Sequence, residues 1–292
     1  MPITNMQKVV RTPGPARRPW GLLVDAATEL TATELSERGT NRIGAGATWM
    51  PWSCDPILRG DIDCDHDGLV NELNVGWQYE GKDTAMRSFP EVATQAPFKL
   101  VDGLRCGTLS YSDDELYDRL RARARALTSS VLARELIDGA ASGGVSLSGT
   151  AGALVAPFPG PDGAFAAIEA HLAETLHGAQ GIVHIPPAVL HVAKEHGYIH
   201  QTGDSLYTTT GHRVAADAGN DGSFGPAAGG ASSYWIYATG PVLYHVTDPF
   251  FLGDGLDPFV NIVERFAEAM AILVFDPCAV AAVELDMAPA AP

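Results

Sequence analysis

The segment SDDELYDRLRARARALTSSVLARELIDGA, residues 112–140, constrains the fold more than any other part of this 292-residue chain. Ser112 is placed to cap a helix, and Asp113, Asp114 and Glu115 put negative charge at its positive end. Leu116, Leu120, Leu127, Val131 and Leu136 form one apolar stripe. The pattern predicts a single helix of about seven turns, and the remaining elements have to be arranged along it.

Before this helix the sequence is fragmentary. MPITNMQKVVRTPGPARR carries Lys8, Arg11, Arg17 and Arg18 with no acid and three prolines, which predicts an extended basic arm. LLVDAATELTATELSER, from Leu22, has helix-like spacing and a stop at Gly39. Between residues 41 and 106, ATWMPWSC and PFKLVDGLRC bracket a polar insertion rich in Asp and Gly, which reads as a long two-stranded excursion. Its Trp49, Trp52 and Trp77 fit either a core or contacts with a partner, because a two-stranded flap has no interior of its own.

After the long helix, residues 140–162 read as a Gly, Ser, Ala and Pro connection, and FAAIEAHLAETLHG as a second helix ended by Gly178. GIVHIPP predicts a buried strand, AVLHVAKEHG a short helix, and SLYTTTGHRVAADAG a hairpin. YWIYATGPVLYHV gives two strands bent at Gly240-Pro241. The most hydrophobic stretch comes last. Ala267 to Phe275 and Ala279 to Leu285 are apolar runs broken at Asp276-Pro277 and read as paired strands, led in by Glu264, Arg265 and Glu268.

Composition narrows the function. With 46% hydrophobic and 18% charged residues the chain is globular, and it is long enough to fold without metals or disulfides. A formal net charge of -16 opposes general nucleic-acid affinity, which comes from Lys and Arg neutralising phosphates. No run approaches the roughly 18 uncharged apolar residues of a membrane span, so no membrane partner is expected, and synthesis is expected in the cytoplasm.

Candidate chemistry is sparse. In DIDCDHDGLVNE, Asp63, Asp65, Asp67 and Gly68 match positions of a calcium loop, but Asn74 stands where the bidentate carboxylate belongs, so a solvated acidic loop is the preferred reading. His191, Glu195, His196 and His200 cluster without the His-Glu-x-x-His spacing, and Gly197 interrupts the face they would share. No Gly-x-Ser-x-Gly elbow or phosphate loop occurs. No cofactor and no enzymatic activity are expected. Cys54, Cys64, Cys106 and Cys278 form no Cys-x-x-Cys pair and are too scattered for a disulfide framework.

The order of elements resembles the Hong Kong 97 type of tailed-phage major capsid protein over most of the chain. The residues that carry the resemblance are SDDELYDRLRARARALTSSVLARELIDGA, GIVHIPPAVLHVAKEHGYI with GDSLYTTTGHRVAADAG, and VNIVERFAEAMAILVFDPCAVAAVELD. It implies an α+β, Hong Kong 97-like capsid fold: an N-terminal arm and helix (1–42), an extended two-stranded flap (43–106), a spine helix in a peripheral domain (107–150), an axial domain (151–246) and closing strands of the peripheral domain (247–292). The closing pair would then seal the sheet against the spine, with Glu264 to Glu268 marking the crossing between domains.

The function implied is that of a shell tile in the virion, made in the host cytoplasm, assembling with itself into hexamers and pentamers of an icosahedral head. The head would enclose double-stranded DNA without sequence specificity. Relatives often begin with a scaffolding segment, for which no room is left before the spine, so a separate scaffolding protein is expected alongside a portal or decoration protein. Lys82 and Lys99 with Asn261 are the candidates for the cross-link some relatives form, without a motif to fix them. In this fold Cys106 and Cys278 would share the peripheral domain and be neighbours. Buried free thiols are the default reading for all four cysteines, and of the two possible bridges Cys54 with Cys64 is preferred, since a loop without a core gains most from a covalent tie. The alternatives are an encapsulin-like compartment, a tail or neck protein, and a metal-dependent enzyme built on Asp63 to Asp67 or on the histidine cluster.

Overall fold

The computed structural model of the chain describes residues 22–30, 47–49, 93–107, 112–157, 160–227, 233–257 and 262–286. The long helix, α2, follows a four-residue helix α1 (Leu23–Ala26) and runs over Asp113–Asp138. Its ends are set locally. Ser112 Oγ accepts the Glu115 N–H at 3.4 Å while the Glu115 carboxylate accepts the Ser112 N–H at 2.9 Å, a reciprocal capping box. At the far end Gly139 takes φ 64°, and its N–H donates to the Glu135 carbonyl at 2.8 Å.

The single stripe expected along α2 does not hold. Leu116 and Leu120 are buried, but the next buried set, Ser129, Leu132, Ala133, Leu136 and Ile137, faces about half a turn away at 3.6 residues per turn. Leu127 and Val131, which continue the first face, are 44% and 39% exposed. The reason is that α2 serves two partners. Its first half lies on a five-stranded sheet. Its second half enters a core with Leu147, Tyr237 and Ala282.

The five-stranded sheet is built on β13 (Ile262–Phe275). Along one edge β13 pairs antiparallel with β12 (Phe250–Asp257) and then with β11 (Val242–Val246). Along the other edge it pairs with β4 (Phe98–Gly107), and β1 (Thr28–Glu29) adds in parallel to β11. The lead-in residues Glu264 to Glu268 therefore lie inside this strand and not at a crossing. PFKLVDGLRC, read as part of the flap, forms β4. A separate two-stranded sheet pairs β2 (Ala47–Trp49) with β3 (Ala93–Gln95), and the rest of the stretch read as the flap, residues 50–92, lies outside the described residues.

A mixed sheet of seven strands forms the second layer. In spatial order it runs β5 (Gly152–Leu154), β14 (Ala281–Asp286), β10 (Ser233–Thr239), β6 (Ile182–His184), β9 (Arg213–Ala215), β8 (Ser205–Thr208) and β7 (Ile199–Thr202). Helices α4 (Pro161–Leu176) and α5 (Pro187–Glu195) cover its second core, in which Phe165, Ile168 and Leu172 meet Val183, Ile236 and Val283. A short α3 (Leu147–Thr150) and β5 lie within the stretch read as a plain connection.

The two closing runs are strands, but they do not pair with each other. β13 belongs to the five-stranded sheet and β14 to the interior of the seven-stranded one. A 3-10 turn at Pro277–Ala279 makes the change, with the buried Asp276 side chain accepting the Cys278 N–H at 3.1 Å. Gly240-Pro241 carries β10 to β11 across the same gap. The predicted helix after Leu22 also gives way: Ala27 is extended and the chain adds β1 to the exposed edge of β11, a tertiary pairing that outweighs a helix too short to hold itself.

Candidate assembly surface

The first half of β13 alternates, and that alternation builds the surface. Arg265, Ala267 and Ala269 are buried towards α2, whereas Phe266 and Glu268 face away from it. Register places Val101 of β4 and Phe250 of β12 on either side of Glu268, and Gly103 beside Phe266. The outward face thus presents Phe250 at 67% exposure, Val101 at 62% and Phe266 at 42%. A Cβ on Gly103 would come within 3.0 Å of the Phe266 ring, so the glycine is what lets the ring lie across the neighbouring strand. Two exposed ion pairs frame the patch, Lys99–Glu268 at 2.7 Å and Arg105–Glu264 at 3.0 Å. From Ala271 onward β13 is buried on both faces, which confines the patch to the half flanked by β4 and β12.

The opposite face is anchored at the N-terminal end of α2. The buried Arg265 guanidinium reaches Asp113 at 3.0 Å and lies over the Tyr117 ring, and Tyr117 meets Phe251 edge to face at 5.1 Å. Further along, helix and sheet part. Ala124 on α2 and the small Ala267 and Ala269 of β13 are among the residues that line a cleft of about 860 Å³ there. Leu127 and Val131 line that cleft, which accounts for their exposure.

The residues singled out as chemical are dispersed. Asp63, Asp65, Asp67, Cys54, Cys64, Lys82 and Asn261 lie outside the described residues. Lys99 is on the outward face of β4, in its ion pair with Glu268. His191 and Glu195 are on α5, His196 stacks on Tyr198 at 5.7 Å, and His200 of β7 stacks on Tyr207 at 6.0 Å. Among the described residues no three His, Cys, Asp or Glu side chains are grouped to hold a metal ion. Cys278 is disulfide-bonded. Cys106 is not its neighbour, contrary to expectation: it stands opposite Val263, twelve residues along β13 from Phe275, about 40 Å at ~3.3 Å per residue. Of the described histidines, the buried His184 is the most perturbed. Its Nε2 is 2.9 Å from Thr239 Oγ1, and burial pushes its pKa down to about 3.

Nothing matches the chain among protein-family models or among curated sequences. Solved structures do match. The subunit in the capsid of an empty GTA particle aligns with a TM-score of 0.55 at 11% identity, covering 97% of this chain and 95% of that one. The subunit in the capsid of a native GTA particle gives 0.53 at 12% identity, over 97% and 96%. This chain has a Hong Kong 97-like capsid fold. A structure of Gordonia phage Cozz aligns over less, 68% of this chain and 75% of that one, with a TM-score of 0.45 at 14% identity. Within the capsid fold, α2 is the long helix and the patch lies on the side of its sheet that α2 leaves open. Sequence reasoning missed that patch. The signal was the alternation of PFKLVDGLRC and VERFAEAM, in which Lys99, Val101 and Arg105 share one face and Phe266 and Glu268 the matching one.

Proposed function

We propose that this chain is the major capsid protein of a tailed phage, a tile that assembles with copies of itself into the hexamers and pentamers of an icosahedral head around double-stranded DNA. The observation that supports this most is the end-to-end correspondence with a capsid subunit, nearly complete for both chains. The open apolar face at Phe250, Val101 and Phe266 supports it independently, because a monomer gains nothing from exposing two phenylalanines on one sheet face, whereas packing against a neighbour removes them from water. The net charge of -16 suits a container whose wall does not trap its cargo, and the basic arm is the segment suited to touching DNA or an acidic neighbour. On this reading the protein resides in the virion and performs no catalysis. Its other partners are a scaffolding, portal or decoration protein.

Sedimentation velocity at micromolar concentration tests the proposal. Fast-sedimenting rings or shells are expected. A single 30.8-kDa species that persists under assembly conditions contradicts it.

A further inference from the structure

The segment Leu22–Leu30 is held in a way its own sequence does not explain. A four-residue helix has no stability of its own, yet both ends of α1 are satisfied by side chains from the seven-stranded layer. The buried Asp217 carboxylate accepts the Leu23 N–H at 3.2 Å, and Arg213 donates to the carbonyls of Asp25 and Ala26 at 3.1 and 3.2 Å. The long helix joins the same node. Ser129 Oγ accepts the Val24 N–H at 3.3 Å and donates to Asp217 at 2.5 Å. Beyond α1 the segment reaches the third body, the five-stranded sheet, where the Leu30 N–H donates to Tyr244 at 2.7 Å and His245 Nδ1 lies 2.6 Å from the Leu30 carbonyl.

Asp217 also serves the other side of the node. Its second carboxylate oxygen accepts the Gly219 N–H at 3.4 Å, holding the loop that follows β9 against α2. There the backbone approaches so closely that a Cβ on Gly219 would lie 2.0 Å from the Ser130 carbonyl. Leu23, Ala26 and Ala27 pack into the core shared by Leu132, Val242 and Tyr244.

We propose that Leu22–Leu30 is a strap, with Asp217, Arg213 and Ser129 as its clasp, that couples the chain entering at Leu22 to the junction of the long helix and the two sheets. Seating the strap tightens the loop at 217–221 on α2, and loosening that loop frees the strap. A contact made in an assembled particle by the residues that precede Leu22 in sequence would act on this junction through the strap. That use rests on the shell reading, but the coupling does not, and it is measured on unassembled full-length protein.

Hydrogen exchange read by mass spectrometry tests it in both directions, because coupling between two elements is reciprocal. Asp217→Asn removes the charged acceptor and is expected to raise exchange about ten-fold over residues 22–30 and in β11, leaving α4 unchanged. Ser129→Ala should do the same to a smaller degree, and it serves if Asp217→Asn does not fold. Leu23→Ala, which keeps the backbone N–H bonded to Asp217 and removes only side-chain packing, should raise exchange at residues 217–221. Unchanged exchange at 22–30 in both clasp variants overturns the proposal. So does a response in one direction only, or a rise that spreads uniformly into α4.

Discussion

Lowering the pH from 7 to 5 should destabilise the unassembled subunit through His184 by an amount its burial fixes. His184 is the last residue of β6, in register with Tyr237 of β10 and Ala215 of β9, and among the described residues its side-chain partner is the Thr239 hydroxyl. Burial holds its pKa at about 3, against an ordinary 6.5. The unfolded chain therefore binds a proton that the folded chain refuses throughout that window. The resulting stability is fully present above pH 6.5 and is lost as pH falls towards 3. Between pH 7 and pH 5 the loss amounts to about 2 kcal/mol from this one group, approaching ~1.4 kcal/mol per pH unit. His184→Gln keeps a nitrogen or oxygen within reach of Thr239 and cannot titrate. Urea unfolding of both proteins at the two pH values isolates the term, since His171 and His212, also held down by burial, contribute equally to each. The reasoning fails if the variant loses as much stability as the parent between pH 7 and pH 5.

Three further outcomes are expected. Leu120→Ala, at a site wholly closed to water where α2 meets its sheet, should cost about 2–5 kcal/mol in denaturant unfolding, whereas Leu127→Ala at the cleft should cost under ~1 kcal/mol. Phe250→Asp with Phe266→Asp should leave the circular dichroism and melting of the subunit nearly unchanged while abolishing fast-sedimenting species, and normal assembly of that variant would remove the patch from the account. Peptide mapping without reduction should recover Cys278 in a cross-linked peptide, and a free, alkylated Cys278 would refute its disulfide.

What the sequence made legible follows from how local each determinant is. The ends of α2 could be read because Ser112, Glu115 and Gly139 act within one turn of their own positions. The faces of α2 could not, because the buried side changes where the helix passes from one layer to another, and no periodicity of a single helix encodes which partner lies beside it. The same gap separates the strands as read from the sheets as formed. Ala267 to Phe275 and Ala279 to Leu285 were recognisable as extended, but adjacency in sequence suggested a pair where Pro277 and Asp276 actually carry the chain between sheets. The strap was illegible for a related reason. Its helical spacing is real over four residues, and everything that holds those residues comes from Ser129, Arg213 and Asp217, over a hundred positions away. The surface patch is intermediate: its alternation is written in two strands, but only their register makes one face of it.

Electron microscopy of the purified full-length protein tests the central claim most directly. The account predicts closed shells of uniform curvature, or the rings from which they are built, in which the face carrying Val101, Phe250 and Phe266 is covered by a neighbouring copy. A field of small, separate particles under every assembly condition, or shells in which that face remains open to solvent, would contradict it.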